Sequence, residues 1–364
     1  MRKGYTTGSC AAAASKAAAL MLLTKVQADQ VRITTPGGEI LDLEVKDALI
    51  ASGHARCAVM KDGGDDPDVT TGALIYADVS FSDEEGITID GGKGVGRVTK
   101  PGLDQPPGNA AINSVPRKMI CEGITDVCRA HGYTGGLSVI ISVPEGETIA
   151  KKTFNSSLGI LGGISIIGTT GIVEPMSEKA LTDTTRITLS QRKAEGESYA
   201  LLTPGNYGEE FIRANLEDIM KKAVQTSNFI GDSIDACREL GFKGFLLVGH
   251  LGKLVKIAGG MLNTHSKYGD CRLDIMAATA GACGLGSSRI AEMLDAVMVD
   301  EAVRILDEED LREQTMKMLT ERIMKILRRR AGDEMECGVM IFSKVYGLLA
   351  ESDNARGLIE KMKG

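Results

Sequence analysis

Two of the chain's four histidines fall in one short stretch, Gly249-His250-Leu251-Gly252-Lys253, followed by Lys256, Gly259-Gly260 and Asn263-Thr264-His265-Ser266. An imidazole beside lysines at the end of a strand can move a proton or meet an anion; the plainer reading is a pair of structural histidines. Four other stretches combine glycine with hydroxyl, acid or base. Residues 4–9 read Gly-Tyr-Thr-Thr-Gly-Ser ahead of an alanine-rich helix. Unpaired N–H groups at a helix start, the helix dipole and three nearby hydroxyls suit an anion, although a cap needs only one hydroxyl. Residues 62–70 read Asp-Gly-Gly-Asp-Asp-Pro-Asp-Val-Thr. Those carboxylates can hold ribose hydroxyls, a cationic group or a proton in transit, or they form a solvated acidic turn.

Residues 91–102, Gly-Gly-Lys-Gly-Val-Gly-Arg-Val-Thr-Lys-Pro-Gly, let backbone approach an anion while three cations supply charge. No Gly-Lys-Ser/Thr ends the run, so it is not a Walker A loop; a flexible hairpin turn is the alternative. The last stretch runs from Lys151-Lys152-Thr153-Phe154-Asn155 through Leu161-Gly162-Gly163 to Gly168-Thr169-Thr170-Gly171-Ile172-Val173-Glu174-Pro175. A glycine-rich turn after a short parallel strand is where open α/β sheets bind ligands, and equally an ordinary strand-to-helix turn. Its spacing misses G-x-G-x-x-G.

The elements that must carry these stretches follow from periodicity and punctuation. Alanine over 11–23 predicts a helix, with Thr7 or Ser9 as its cap. Residues 31–35 and 40–45 alternate around Pro36-Gly37-Gly38 and predict a hairpin. Strands are expected near 56–60, 73–81 and 87–89, a helix from Ser114 to about His131 stopped by Gly132, and a strand over 137–143. Further on come a short buried strand at 164–167, a strand at 199–203, helices at 209–221 and 229–240, and strands at 223–226 and 244–248. From about 272 the chain reads as mainly helical, including the charged run 308–330. Strand, glycine turn and helix in succession suggest a doubly wound α/β unit. The expectation is therefore α/β with α+β. An N-terminal two-layer α+β domain over 1–148 carries the anion-binding turn and the glycine-rich loop. A C-terminal Rossmann-like three-layer α/β domain over 149–364 carries extra C-terminal helices.

Composition narrows the function. Of 364 residues 44 are Gly, above the usual share of about 7%, and none is Trp. Low aromatic content and a net charge of −7 disfavour nucleic-acid binding. No run approaches a membrane span, which needs roughly 18 apolar residues. The eight Cys form no C-x-x-C pair and read as reduced cytoplasmic thiols. His54 and Cys57 are two ligands without a second pair, so no protein metal site is expected. Yet residues 1–28 hold Arg2, Lys3, Lys16 and Lys25 without an acid, and 241–272 hold five cations against Asp270 alone. Basic patches beside glycine turns suit a polyanionic small molecule.

Taken in order, Gly4 through Ala14, Gly64 through Thr70 and Gly94 through Leu103 resemble the cobalt-precorrin-5B (C1)-methyltransferase family. Lys152-Thr153-Phe154-Asn155, 162–176 ending in Pro175-Met176, 249–253 and 263–266 continue the likeness, which covers about three quarters of the chain. The helical C-terminal part carries little of it. The resemblance implies S-adenosylmethionine as methyl donor and a cobalt-bearing tetrapyrrole as acceptor, methylated at C-1 from cobalt-precorrin-5B to cobalt-precorrin-6A in anaerobic cobalamin biosynthesis. The cobalt belongs to the substrate. On that footing Thr6, Thr7 and Arg97 are assigned to substrate carboxylates, with Lys100 and Lys253 as further candidates. Asp65, Asp66 and Asp68 are assigned to the donor's ribose or amine, Thr169, Thr170 and Gly171 to a donor cradle, and His250 or His265 to a proton. A nucleotide-dependent phosphotransferase and a non-catalytic corrinoid-binding protein are the alternatives. A homo-oligomer is left open.

Overall fold

Alanine dictates the first layer. Helix Thr7–Thr24 carries small side chains on every side and buries seven alanines, so neighbouring elements approach it closely. In this computed structural model, which describes residues 1–363 other than 154, 157 and 176, it packs against helix Ser114–Ala130 and against strands His54–Met60 and Leu74–Ser82. Phe154 and Met176, both in the family-like stretches, lie outside the described residues. The strands belong to a five-stranded sheet in the order Lys46–Ala51, His54–Met60, Leu74–Ser82, Gly136–Ser142, Ile87–Gly91. Neighbours are antiparallel except the last pair. Alternation sends Ala55, Cys57, Ile75, Ala77, Leu137 and Val139 into the core with the helices. On the other face Arg56, Tyr76, Asp78 and Ser80 help to line a hollow of about 380 Å³. The 30–44 hairpin forms as its Pro-Gly-Gly turn requires, with Gly38 at φ 85°.

The chain divides into two compact units, Met1–Ser177 and Glu178–Gly364, so the change falls later than the 148 expected from composition. Residues 149–177 belong with the first unit because short strands tie them there. Ile160–Leu161 pairs with Arg97–Val98, Gly163–Ile164 with Gly94–Val95, and Ile172–Val173 with Gly4–Tyr5. The strand expected at 164–167 reduces to this Gly163–Ile164 pairing plus a bridge between Ile166 and Ile112.

The second unit opens with helix Glu178–Ala194, which its polar sequence did not announce. Its sheet runs Ala223–Gln225, Tyr199–Thr203, Gly244–His250, Glu336–Ser343, Gly347–Glu351, parallel throughout except for the last strand. Alternate strand residues face different cores. Leu202, Phe245, Leu247, Val339 and Ile341 meet helices Ile230–Glu239, Leu251–Ala258 and Arg312–Ala331. Leu201, Leu246, Val248, Met340 and Phe342 meet helices Asn206–Asn215 and Ala355–Lys363. Burial on both faces is why these strands read as unbroken apolar runs. The region after 272 is therefore not only helical: it supplies two strands. The run expected at 308–330 breaks at Asp310, whose φ is 55°, leaving helix Arg312–Ala331. All the cysteines are free thiols, and burial pushes Cys10, Cys57 and Cys237 up to about 12.

Candidate functional site

In the first unit three of the chemistry-bearing stretches meet. Thr6 caps the first helix, its Oγ1 accepting from Ser9 N at 3.2 Å. The Thr6 N–H and the Ser9 hydroxyl both donate to the Gly171 carbonyl, at 3.0 and 2.7 Å. The Thr7 hydroxyl is buried and accepts from Ile167 N at 2.9 Å. On the other side Tyr5 N donates to Asp62 O, Asp65 N donates to Arg2 O, and Arg2 N donates to the Asp65 carboxylate at 2.6 Å. The approach is so close that a Cβ on Gly64 would lie 2.2 Å from Arg2 O, and one on Gly168 2.2 Å from Thr6 Oγ1. These glycines are there for backbone contact.

One acid in the same junction, Asp68, is spent on the fold. Lys61, with a side chain 1% exposed, pairs with Asp68 at 3.0 Å. Burial alone would raise the Asp68 carboxyl, but the Thr70 hydroxyl and amide and the Lys61 ammonium together hold it below the usual carboxylate range. Gly171 is buried, whereas Thr169 and Thr170 are exposed; the Thr170 hydroxyl donates to Ile172 O at 3.2 Å. Asp66 and Lys100 each have partners of their own.

The glycine-rich passage 91–102 is a backbone crossing. A Cβ on Gly94 would lie 1.8 Å from Val143 O, and one on Gly163 2.1 Å from Gly94 O. Its arginine is also engaged: Arg97 makes two parallel bonds to Asp90, at 2.7 and 2.9 Å, and a third to Gly91 O. The guanidinium expected to meet a substrate carboxylate already meets one from its own chain.

In the second unit the interest lies at the carboxyl ends of the parallel strands. His250 and His265 both act as caps. Nδ1 of His250 accepts from Gly252 N at 3.1 Å, and Nδ1 of His265 accepts from Lys267 N at 3.0 Å. A neutral imidazole accepting at Nδ1 carries its proton at Nε2, so neither ring offers a free lone pair as a base. Burial lowers the His250 pKa, opposed by Asp300 and assisted by Lys344 and Arg272. Lys253 stands in the next turn. Its Nζ has one long contact, 3.4 Å to Ser227 O, and lies 3.3 Å from where a Cβ on Gly205 would stand. Burial, with the neighbouring Lys256, lowers its pKa.

Sequence reasoning passed over Gly205 and Ser227. Gly205 was legible as Pro204-Gly205-Asn206 at a strand end; Ser227 gave no signal beyond standing at the end of a short strand, yet its φ is 53°. Lys61 was hidden too, since nothing local marks a lysine as buried. No group of three or more metal-ligating side chains occurs among the described residues, and no described helix is long and apolar enough to cross a membrane.

Comparison with known proteins gives a consistent result. Residues 1–175 match the family described as CbiD, and 263–353 match the CbiD C-terminal domain, so the C-terminal part does carry a family signature. A cobalt-precorrin-5B C(1)-methyltransferase from Ruminiclostridium cellulolyticum is 47% identical over 94% of this chain and 89% of its own. One from Alkaliphilus metalliredigens is 42% identical over 100% of this chain and 95% of its own. A crystal structure of the cobalamin biosynthesis protein cbiD from Archaeoglobus fulgidus is 29% identical, covering 74% of this chain and 83% of that one with a TM-score of 0.40.

Proposed function

The chain belongs to the CbiD family, and on that footing we propose that it methylates carbon 1 of cobalt-precorrin-5B with S-adenosylmethionine as donor. The near full-length identity to proteins named for that reaction carries the reading. The methyl passes from a sulfonium, which becomes a neutral thioether, to a carbon nucleophile of the tetrapyrrole. The protein's tasks are to align sulfur, methyl and carbon and to exclude water. The cobalt arrives in the acceptor, held by its ring nitrogens.

Three features support this reading against its rivals. The glycine-rich stretches lack a Walker ending, which disfavours a phosphotransferase. Both histidines spend their Nδ1 lone pair on a backbone cap, which favours alignment over proton abstraction by either ring. Local excesses of lysine and arginine suit the acetate and propionate arms of the acceptor. We keep the rim of Thr169, Thr170, Asp65 and Asp66 as a ligand-facing edge of the first unit, and we assign the fold-holding roles to Thr7, Asp68 and Gly171. Free thiols throughout fit a cytoplasmic enzyme.

The test is mass spectrometry of the corrinoid after incubation with methyl-labelled donor. One labelled methyl gained at C-1, with one S-adenosylhomocysteine released, is expected. Tight corrinoid binding without release of S-adenosylhomocysteine would make the protein a carrier.

A further inference from the structure

The sheet of the second unit changes winding direction between two neighbouring parallel strands. After Tyr199–Thr203 the chain turns into helix Asn206–Asn215, which packs on one face with Leu201 and Leu246. After the adjacent strand Gly244–His250 it turns into helix Leu251–Ala258, which packs on the opposite face with Leu202 and Leu247. Turns that diverge in this way leave a crevice at the carboxyl ends of the strands, where open α/β sheets take their ligands.

The residues at that crevice are unlike those at the first unit's junction. Gly205 has φ 89° and ψ 178°, a conformation reserved for glycine, so it cannot be exchanged for a bulkier residue without moving the turn. Ser227 holds a positive φ, which a non-glycine residue keeps only where its surroundings impose it. Lys253 reaches across the end of the first strand with three donors and one long contact. One residue before Ser227, the Thr226 hydroxyl is fully buried and has no hydrogen-bond partner among the described residues. Gln225, at the end of the second strand of the βαβ unit, bonds to Asn206 at 3.4 Å. That strand end is where a dinucleotide fold usually presents an acid to a ribose; here it presents an amide.

We propose that this crevice is the methyl-donor site: Lys253 takes the carboxylate of the donor's amino-acid part, the Gly205 turn gives backbone room, and Gln225 with Asn206 meets the ribose hydroxyls. A carboxylate would supply the close, charged acceptor that the long contact to Ser227 O does not give the Lys253 ammonium, in a half-buried setting where such a bond counts for more than on the surface. The assignment rests on the methyltransferase reading and moves the donor away from the first unit, where both oxygens of the Asp68 carboxylate and the Gly171 carbonyl are already engaged.

Calorimetric titration with S-adenosylhomocysteine and with methylthioadenosine, which lacks the amino-acid carboxylate, tests it in the full-length chain. Lys253→Ala is expected to weaken S-adenosylhomocysteine at least tenfold and to leave methylthioadenosine within about twofold, with Lys253→Arg recovering most of the loss. Equal weakening of both ligands would reduce Lys253 to a structural role and overturn the carboxylate assignment. Wild-type affinity of Lys253→Ala for both would overturn the site while leaving the donor intact. Failure of the wild-type chain to bind either nucleoside would instead sink the methyltransferase reading itself.

Discussion

The two units use their polar groups in opposite ways. In the first, Thr6, Thr7, Ser9, Asp65, Asp68 and Arg97 all find partners within the chain, several across backbone contacts that only glycine allows. In the second, Lys253 is left with one long contact and Thr226 with none among the described residues. A dense cluster of chemistry-bearing residue types is therefore no sign of a binding surface in itself. Unmet hydrogen-bonding capacity is the better sign, because a buried polar group without a partner costs free energy that a ligand can return.

That contrast can be broken most decisively at Gly64. Gly64→Ala puts a Cβ against the Arg2 carbonyl at a position whose φ is 66°, and we expect a loss of more than about 3 kcal/mol of stability, read as thermal or urea unfolding. A variant as stable as the wild type would show that the junction is loose and free to open around a ligand.

The next largest effect concerns His250. Removing the cap in His250→Ala should cost about 1 kcal/mol, while His250→Asn, which keeps an acceptor for Gly252 N–H, should restore most of it. Because the folded pKa is lowered below the ordinary value of 6.5, the unfolded chain takes up the proton first. Wild-type stability should therefore be full above pH 6.5 and fall as the pH drops from there through the folded pKa, and the asparagine variant should lose that component. If His250→Asn folds normally but methylates at least a hundredfold more slowly, the ring serves the reaction as well as the cap.

The smallest effect is expected at Arg97. Its pair with Asp90 is about half exposed on both sides, so Arg97→Ala should cost less than about 1 kcal/mol and leave the acceptor's KM unchanged. A tenfold rise in KM would return the arginine to the substrate and erase part of the contrast between the units.

Much of the architecture was legible because it rests on local rules. The Pro36-Gly37-Gly38 hairpin, the alanine helix and the Gly132 stop needed only turn chemistry and propensity. The strands at 199–203 and 244–248 announced themselves as apolar runs between turn signals. What stayed hidden depended on distant partners. Helix Glu178–Ala194 has too polar a sequence to declare a buried face, and strand Glu336–Ser343 followed so much helix that its apolar run read as more of the same. The site suffered for a like reason. Glycine and arginine at 91–102 look the same whether they face a ligand or the chain's own backbone, and only the position of Asp90 and Val143 decides.

The buried thiols offer a way to watch each unit by itself. A thiolate, not a thiol, attacks an alkylating reagent, and Cys10 and Cys57 in the first unit, like Cys237 in the second, are both shielded from solvent and held protonated. Each therefore becomes reactive only when its surroundings open, so the native chain already contains a clock for breathing in either half. Peptide mapping after timed alkylation would tell whether a nucleoside quiets one half alone.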